Sequence, residues 1–241
     1  MEVFSKTDVG KQRNSNQDAC FTGRLYENTT LVIVCDGMGG ANAGNVASEM
    51  AIKCISDYVG KSFRRKMDEN DMAEMLKNAL ISANIEIYDT SRKNSDFSGM
   101  GTTAVVSIVK NDKAVICHVG DSRAYLVNDS VTQLTKDHSI VQSLIESGKL
   151  TPDEAKTHPR KNVITKALGA EEDIIPDILT VDLKEKDNLL FCTDGLTNYV
   201  ENPDILNIFT TNEISSVATA LVERANQNGG GDNITVVTIT V

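Results

Sequence analysis

Residues 31–37 read Leu-Val-Ile-Val-Cys-Asp-Gly, an apolar run that stops on an acid and a glycine. The run starts at Thr30, and its shortness and β-branched content favour a buried strand over a buried helix. The pattern recurs at Val115-Ile-Cys-His-Val-Gly120-Asp121 and at Leu189-Leu-Phe-Cys-Thr-Asp194-Gly195. Asp232 follows Gly229-Gly230-Gly231 and directly precedes a last apolar strand, and Asp18 closes Arg13-Asn-Ser-Asn-Gln-Asp18 before another short one. A buried strand holds its end rigidly, and an adjacent glycine lets the backbone approach closely and exposes a carbonyl. Several carboxylates gathered in one place repel one another unless a cation neutralises them. Oxygen-only ligands suit Mg²⁺ or Mn²⁺, whereas zinc recruits His or Cys, and His118, His138 and His158 show no ligand spacing. Each Asp-Gly taken alone equally marks a turn. Together they point to metal-dependent chemistry on a phosphorylated or otherwise oxyanionic substrate.

Working outward, Thr103–Val109, Ala114–Val119, Ala124–Val127, Asn188–Cys192 and Ile234–Val241 also read as strands. Turn residues at 111–113 and 128–130 make 103–134 an expected antiparallel meander. One helix is predicted from Ala47, Ala51, Cys54, Ile55 and Tyr58, capped at Gly60. A second follows a capping box of Asp71 with Glu74 and carries Met72, Met75, Leu76, Ala79, Leu80, Ala83 and Ile87 on one stripe. Ile214, Val217, Ala218, Leu221, Val222 and Ala225 form a third. The order lacks regular strand–helix alternation, so the class is α+β, with packed antiparallel sheets flanked by helices.

The chain has 241 residues, 40% of them hydrophobic, with 24 Lys and Arg against 34 Asp and Glu. This length and composition give one globular domain spanning 1–241, and the net charge of −10 argues against holding nucleic acid or anionic lipid by bulk charge. Five cysteines without a CxxC pair make a poor disulfide framework or thiolate metal site. The opening Met-Glu-Val-Phe-Ser-Lys shows no signal-peptide pattern, so none is expected, and no apolar run is long enough to span a membrane. A cytoplasmic monomer is expected.

In order along the chain stand Asp8-Val-Gly10, Arg13-Asn-Ser-Asn-Gln-Asp18, Asp36-Gly-Met-Gly-Gly40, Gly99-Met-Gly-Thr-Thr103 and Val119-Gly-Asp-Ser-Arg-Ala-Tyr125. Leu134-Thr-Lys-Asp-His-Ser139, Asn162-Val-Ile-Thr-Lys-Ala-Leu-Gly169, Cys192-Thr-Asp-Gly-Leu196 and Gly231-Asp-Asn-Ile-Thr-Val236 follow. These segments resemble the metal-dependent protein phosphatases of type 2C, particularly the short bacterial members, from about residue 7 to the last. The resemblance implies a four-layer α-β-β-α sandwich with a small flap at about 139–161. It also implies two Mn²⁺ or Mg²⁺ ions, with Asp36 bridging them, the Gly37 carbonyl completing one shell, Asp194 and Asp232 on the first ion and Asp18 acting through water on the second. Asp121 matches the position that takes a weaker third ion, and Arg13 the residue that grips the substrate phosphate. The implied reaction is direct attack of a metal-bridging water or hydroxide on phosphoserine or phosphothreonine of proteins, opposing a bacterial-type protein kinase.

Met38 stands where eukaryotic relatives carry a histidine, a candidate general acid. Ala41 and Asn45 replace a His and an acid of many bacterial relatives. Asn233 is expected to orient the loop of Asp232. His118 and His138 are read as structural, the latter at the flap's entry, with His158 exposed and Arg123 and Tyr125 bracing the Gly120-Asp121 turn. A two-metal hydrolase of small phosphate esters or nucleotides is the alternative activity, and a catalytically dead binding module the non-enzymatic one. Ile140, Val141, Leu144 and Ile145 predict a short helix in the flap and Thr151-Pro152 the start of another. Lys156, Arg160, Lys161 and Lys166, with no acid from 156 to 166, read as a solvated loop or, alternatively, as a contact surface for phosphoprotein. Exchanging 139–161 for a relative's segment should change preference among phosphoproteins while sparing hydrolysis of a small aryl phosphate. Equal loss of both activities would make the segment scaffold.

Overall fold

The computed structural model describes residues 1–40 and 43–241. The chain begins with strands β1 (Glu2–Asp8), β2 (Asp18–Tyr26) and β3 (Thr29–Met38), then two helices, α1 (Ala43–Ser62) and α2 (Glu69–Lys93). The short β4 (Gly101–Thr102), β5 (Ala104–Lys110), β6 (Lys113–Val119), β7 (Arg123–Val127) and β8 (Val131–Gln133) follow. Helices α3 (Ile140–Glu146) and α4 (Pro152–Lys156) precede β9 (Asp177–Asp182) and β10 (Asn188–Cys192). Helices α5 (Asp194–Thr197), α6 (Asn202–Thr211) and α7 (Ile214–Gln227) lead to β11 (Ile234–Thr240).

The strands form two antiparallel sheets, one ordered β1-β11-β10-β7-β8 and the other β2-β3-β5-β6-β9, with β4 paired to β3. Strand alternation explains how they stack. Leu31, Ile33 and Cys35 of β3 join a core with Ala47, Ala51, Ile55, Leu76 and Leu80 of α1 and α2. Val32 and Val34 of the same strand turn the other way, against Leu189, Phe191, Val237 and Ile239 of the opposite sheet. Leu190, Cys192, Ile234 and Val236 then face Leu196, Ile205, Val217 and Leu221 of α5–α7. The result is the expected four-layer sandwich. Burial on both faces is why the central strands read as unbroken apolar runs.

Three local readings are corrected. The stretch 103–134 is two hairpins in different sheets: β5 and β6 pair in one, β7 and β8 in the other. The chain changes sheets at Gly120-Asp121-Ser122, a crossing that apolar periodicity does not mark. Gly60 does not cap α1, which continues to Ser62 while its apolar stripe runs on through buried Val59 to Phe63. The capping box of α2 lies earlier: the Asp68 carboxylate accepts from the Asp71 amide at 2.9 Å and Asp71 accepts from the Asp68 amide at 3.3 Å. Thr151 caps α4 as expected, in a box with Glu154. No described helix is long and apolar enough to cross a membrane.

Phe191 is fully buried between the sheets. Its replacement by alanine should lower unfolding stability by about 3–5 kcal/mol in a urea titration, and a loss under about 1 kcal/mol would mean the sheets are not held by this core.

Candidate active site

The strand ends that carry the predicted acids meet at one edge of the sandwich. A cleft of about 300 Å³ is lined by Arg13, Gln17, Asp36, Gly37, Met38, Thr103, Asp121, Asn162, Ile164, Asp194, Asp232 and Asn233, among others. Asp18 lies behind it, directly opposite Asp36 in the β2–β3 register. Like charges facing each other across a ladder destabilise it, so this pairing needs either a proton or a cation.

Asp18, Asp36 and Asp194 are held by uncharged partners. The Asp36 amide donates to Thr103 Oγ1 at 2.9 Å, and its carbonyl accepts from Thr102 Oγ1 and from the Thr103 amide, both at 2.9 Å. Thr193 Oγ1 donates to Asp18 Oδ2 at 2.8 Å, and Asn198 Nδ2 donates to Asp194 Oδ2 at 2.9 Å. Asn233 staples the N-terminal loop: its Oδ1 accepts from the Gln17 amide at 2.8 Å, and its Nδ2 donates to the Val9 and Ser15 carbonyls at 2.9 Å. Arg13, on that loop, donates from Nη2 to Asp232 Oδ2 at 2.9 Å. Gly37 is required by space, since a Cβ there would sit 2.1 Å from the Gly44 carbonyl oxygen and 2.6 Å from that of Gln17.

The electrostatics carry the chemical message. Burial, then repulsion from Asp194 and Asp232, pushes Asp18 up to about 7 against hydrogen bonds from Thr235 and Thr193 that pull it down. Asp121 is pushed up to about 7, by burial and then by Asp194 and Asp137. Burial raises Asp36 and Asp194 as well, with Asp18 the next cause for Asp36 and Asp232 for Asp194. Asp18 Oδ1 and Asp194 Oδ1 are buried with no hydrogen-bond partner. Buried, mutually repelling carboxylates with unpartnered oxygens fit divalent cations with oxygen ligands.

A family model for protein phosphatase 2C matches residues 10–231. The chain belongs to that family. It is 39% identical over 244 residues to the serine/threonine phosphatase stp of Listeria innocua, covering 99% of this chain and 95% of the relative. The S. agalactiae serine/threonine phosphatase superposes with a TM-score of 0.92 at 36% identity, covering 100% of this chain and 99% of that one. The catalytic domain of the phosphatase PstP in complex with two manganese ions superposes at 0.85 and 31% identity, covering 98% and 96%. The protein is therefore a phosphoprotein phosphatase of a metal-dependent family.

In this phosphatase every site residue singled out from sequence lines or backs one cleft. Sequence reasoning assigned no role to Thr103, Thr193 and Asn198, although each stands within or beside a quoted motif. Small polar residues after a strand carry no signal of which carboxylate they hold. Asn162 and Ile164, just beyond the flap range, were also missed as cleft residues. Arg123 does not brace the Gly120-Asp121 turn directly: its Nε and Nη2 grip Asp137, at 2.9 and 2.7 Å for the closest contacts, and Nη1 donates to the Tyr125 hydroxyl at 3.0 Å. His158 is half-buried, its Nδ1 accepting from the Arg160 amide at 3.1 Å. Met38 lines the cleft and Asn45 Oδ1 is buried without a partner, while Ala41 lies outside the described residues.

Because Asp18 holds its proton to about 7 when folded but to about 4 when unfolded, its ionisation opposes folding in chelator between those values. The metal-free Asp18→Asn variant should gain stability over wild type as pH rises from about 4 to 7 and keep that gain above. His118, lowered to about 4 by burial and then His138, adds an opposite slope, which cancels in the comparison. Thermal melts in EDTA at several pH values check this, and a constant difference across the range would contradict it.

Proposed function

We propose that this phosphatase hydrolyses phosphoserine and phosphothreonine on proteins, using two Mn²⁺ or Mg²⁺ ions, and opposes a bacterial-type Ser/Thr protein kinase. The observation that carries the reading is the set of buried, unpartnered carboxylate oxygens behind a cleft with a guanidinium at its rim. The names of the similar proteins support the Ser/Thr preference. Asp36, the Gly37 carbonyl, Asp194 and Asp232 would hold the ions, with Asp18 acting through water and Asp121 serving a weaker third. When bound, the ions acidify the attacking water and offset charge on the phosphate oxygens.

The chain's own groups do the rest. Arg13 spends one donor on Asp232 and keeps others free, so it can grip a phosphate with a charged, bidentate pair without leaving the loop. Water attacks phosphorus, the ester P–O bond breaks, and the Ser or Thr oxygen leaves with a proton as inorganic phosphate is released. Met38 lines this cleft, and its thioether has no proton to donate, so water or another group of the site supplies the leaving oxygen's proton. The apolar Ile164 and polar Asn162 rim the cleft where residues flanking the phosphorylated one would lie. We read residues 1–241 as one catalytic domain working as a cytoplasmic monomer.

Turnover of a phosphothreonine peptide, an aryl phosphate and a nucleotide, with and without Mn²⁺ and chelator, tests the reading. Asp36→Asn should cut kcat about a thousandfold or more. Arg13→Ala should raise KM about ten- to a hundredfold. The reverse ordering would exchange the two roles, faster nucleotide turnover would favour a small-molecule hydrolase, and no metal-dependent turnover on any of the three would sink the proposal.

A further inference from the structure

A second cluster of ionisable side chains lies beside the cleft, made of His118, His138, Lys166 and Asp177. One nitrogen of each histidine and one Asp177 oxygen lie within 4.8 Å of one another, which is close enough to suggest a cation site. The geometry argues otherwise. The two rings are stacked, with centroids 4.9 Å apart and planes at 13°, so their in-plane lone pairs run side by side and do not converge. The Lys166 ammonium, 3.3 Å from Asp177 Oδ1, already supplies the positive charge. His138 Nδ1 accepts from the Gly120 amide at 3.1 Å, which leaves the ring hydrogen on Nε2, facing Asp177 Oδ1 at 3.2 Å. Burial, and next the Lys166 charge, hold that ring neutral.

His138 instead grips one residue from two sides. Its ring takes the Gly120 amide, and its own amide donates to the Gly120 carbonyl at 3.0 Å. Gly120 has φ +102° and no room for a side chain, since a Cβ would lie 2.6 Å from Thr103 Cγ2. On the other flank of Asp121, the Ser122 hydroxyl meets Thr103 Oγ1 at 2.6 Å, and that oxygen also accepts the Asp36 amide. The Asp121 backbone is thus clamped at both neighbours. The His138 carbonyl accepts from the Thr165 amide at 2.8 Å, next to cleft-lining Ile164. Stacking on His118 and the bond to Asp177 hold the ring in place for this task.

We propose that His138 is a positioning residue: by holding Gly120 it sets where Asp121 stands in the cleft, and with it the affinity for the weakest-bound divalent ion. The inference rests on Asp121 being a ligand of that ion. The two conservative replacements separate the contacts, because an Asn Oδ1 stands where the His Nδ1 does, whereas a Gln reaches the Nε2 position and leaves Gly120 without its acceptor.

Mn²⁺ binding to the full chain, followed by calorimetry and by the free-ion paramagnetic resonance signal, is the readout. His138→Gln should weaken the weakest step about tenfold and His138→Asn less than about twofold. Asp121→Ala should weaken the same step, and adding His138→Gln to it should change nothing more. Should His138→Gln fail to fold, Asp177→Ala, which frees the ring from outside the cleft, should weaken the step about threefold. Wild-type binding in His138→Gln and Asp177→Ala, or a His138→Gln effect that adds to Asp121→Ala, overturns the role of His138. If Asp121→Ala itself leaves the step unchanged, the assignment of Asp121 fails instead.

Discussion

Asp18 and Asp36 face each other across two paired strands, and Asp194 and Asp232 raise the local negative potential further. A fold left to itself would separate these charges or protonate them. Here the strands that end in acids come from both sheets, β3 from one and β10 and β11 from the other, so the face-to-face packing forces the acids together. Val32 and Val34 against Phe191 and Val237 are the apolar contacts that enforce it. Burial of these side chains outweighs the repulsion it creates at the edge, and that repulsion is what a divalent cation would relieve.

Around the acids the structure uses neutral hydrogen-bond partners almost throughout. Thr103, Thr193, Asn198 and the Asn233 amide orient carboxylates or their backbones without neutralising them, which a lysine side chain in the same places would do. The exception is Arg13, the one cation among the described residues that line the cleft, and it sits at the rim, half-exposed on Asp232. That placement leaves the deep Asp18 and Asp194 oxygens without a partner. Uncharged partners fix the acids in place and leave the site's negative charge intact.

Much of this was legible from residues alone. The central strands were, because burial on both faces demands apolar side chains in succession, and so were the helix stripes of α2 and α7, where periodicity and packing agree. The edge strands β1 and β9 are weaker signals, since neither carries a fully buried residue and so neither forms an apolar run. The false meander at 103–134 shows the limit most clearly. Hairpin turns are local and readable, but whether two hairpins share a sheet depends on contacts far away in sequence, here β6 with β9 and β7 with β10.

From sequence alone came the acids, their glycines, the strands that end in them and the family whose motifs they match, because each is encoded in a run of neighbouring residues. Only the tertiary structure decided that Asp18 stands opposite Asp36, that Asn233 ties the Arg13 loop to β11, and that His138 reaches back across 18 residues to hold Gly120. Those relations join segments up to 224 residues apart, as between Asn233 and Val9. Periodicity and turn chemistry act over a few residues, whereas a hydrogen bond between distant segments exists only once the two sheets have closed on their shared core.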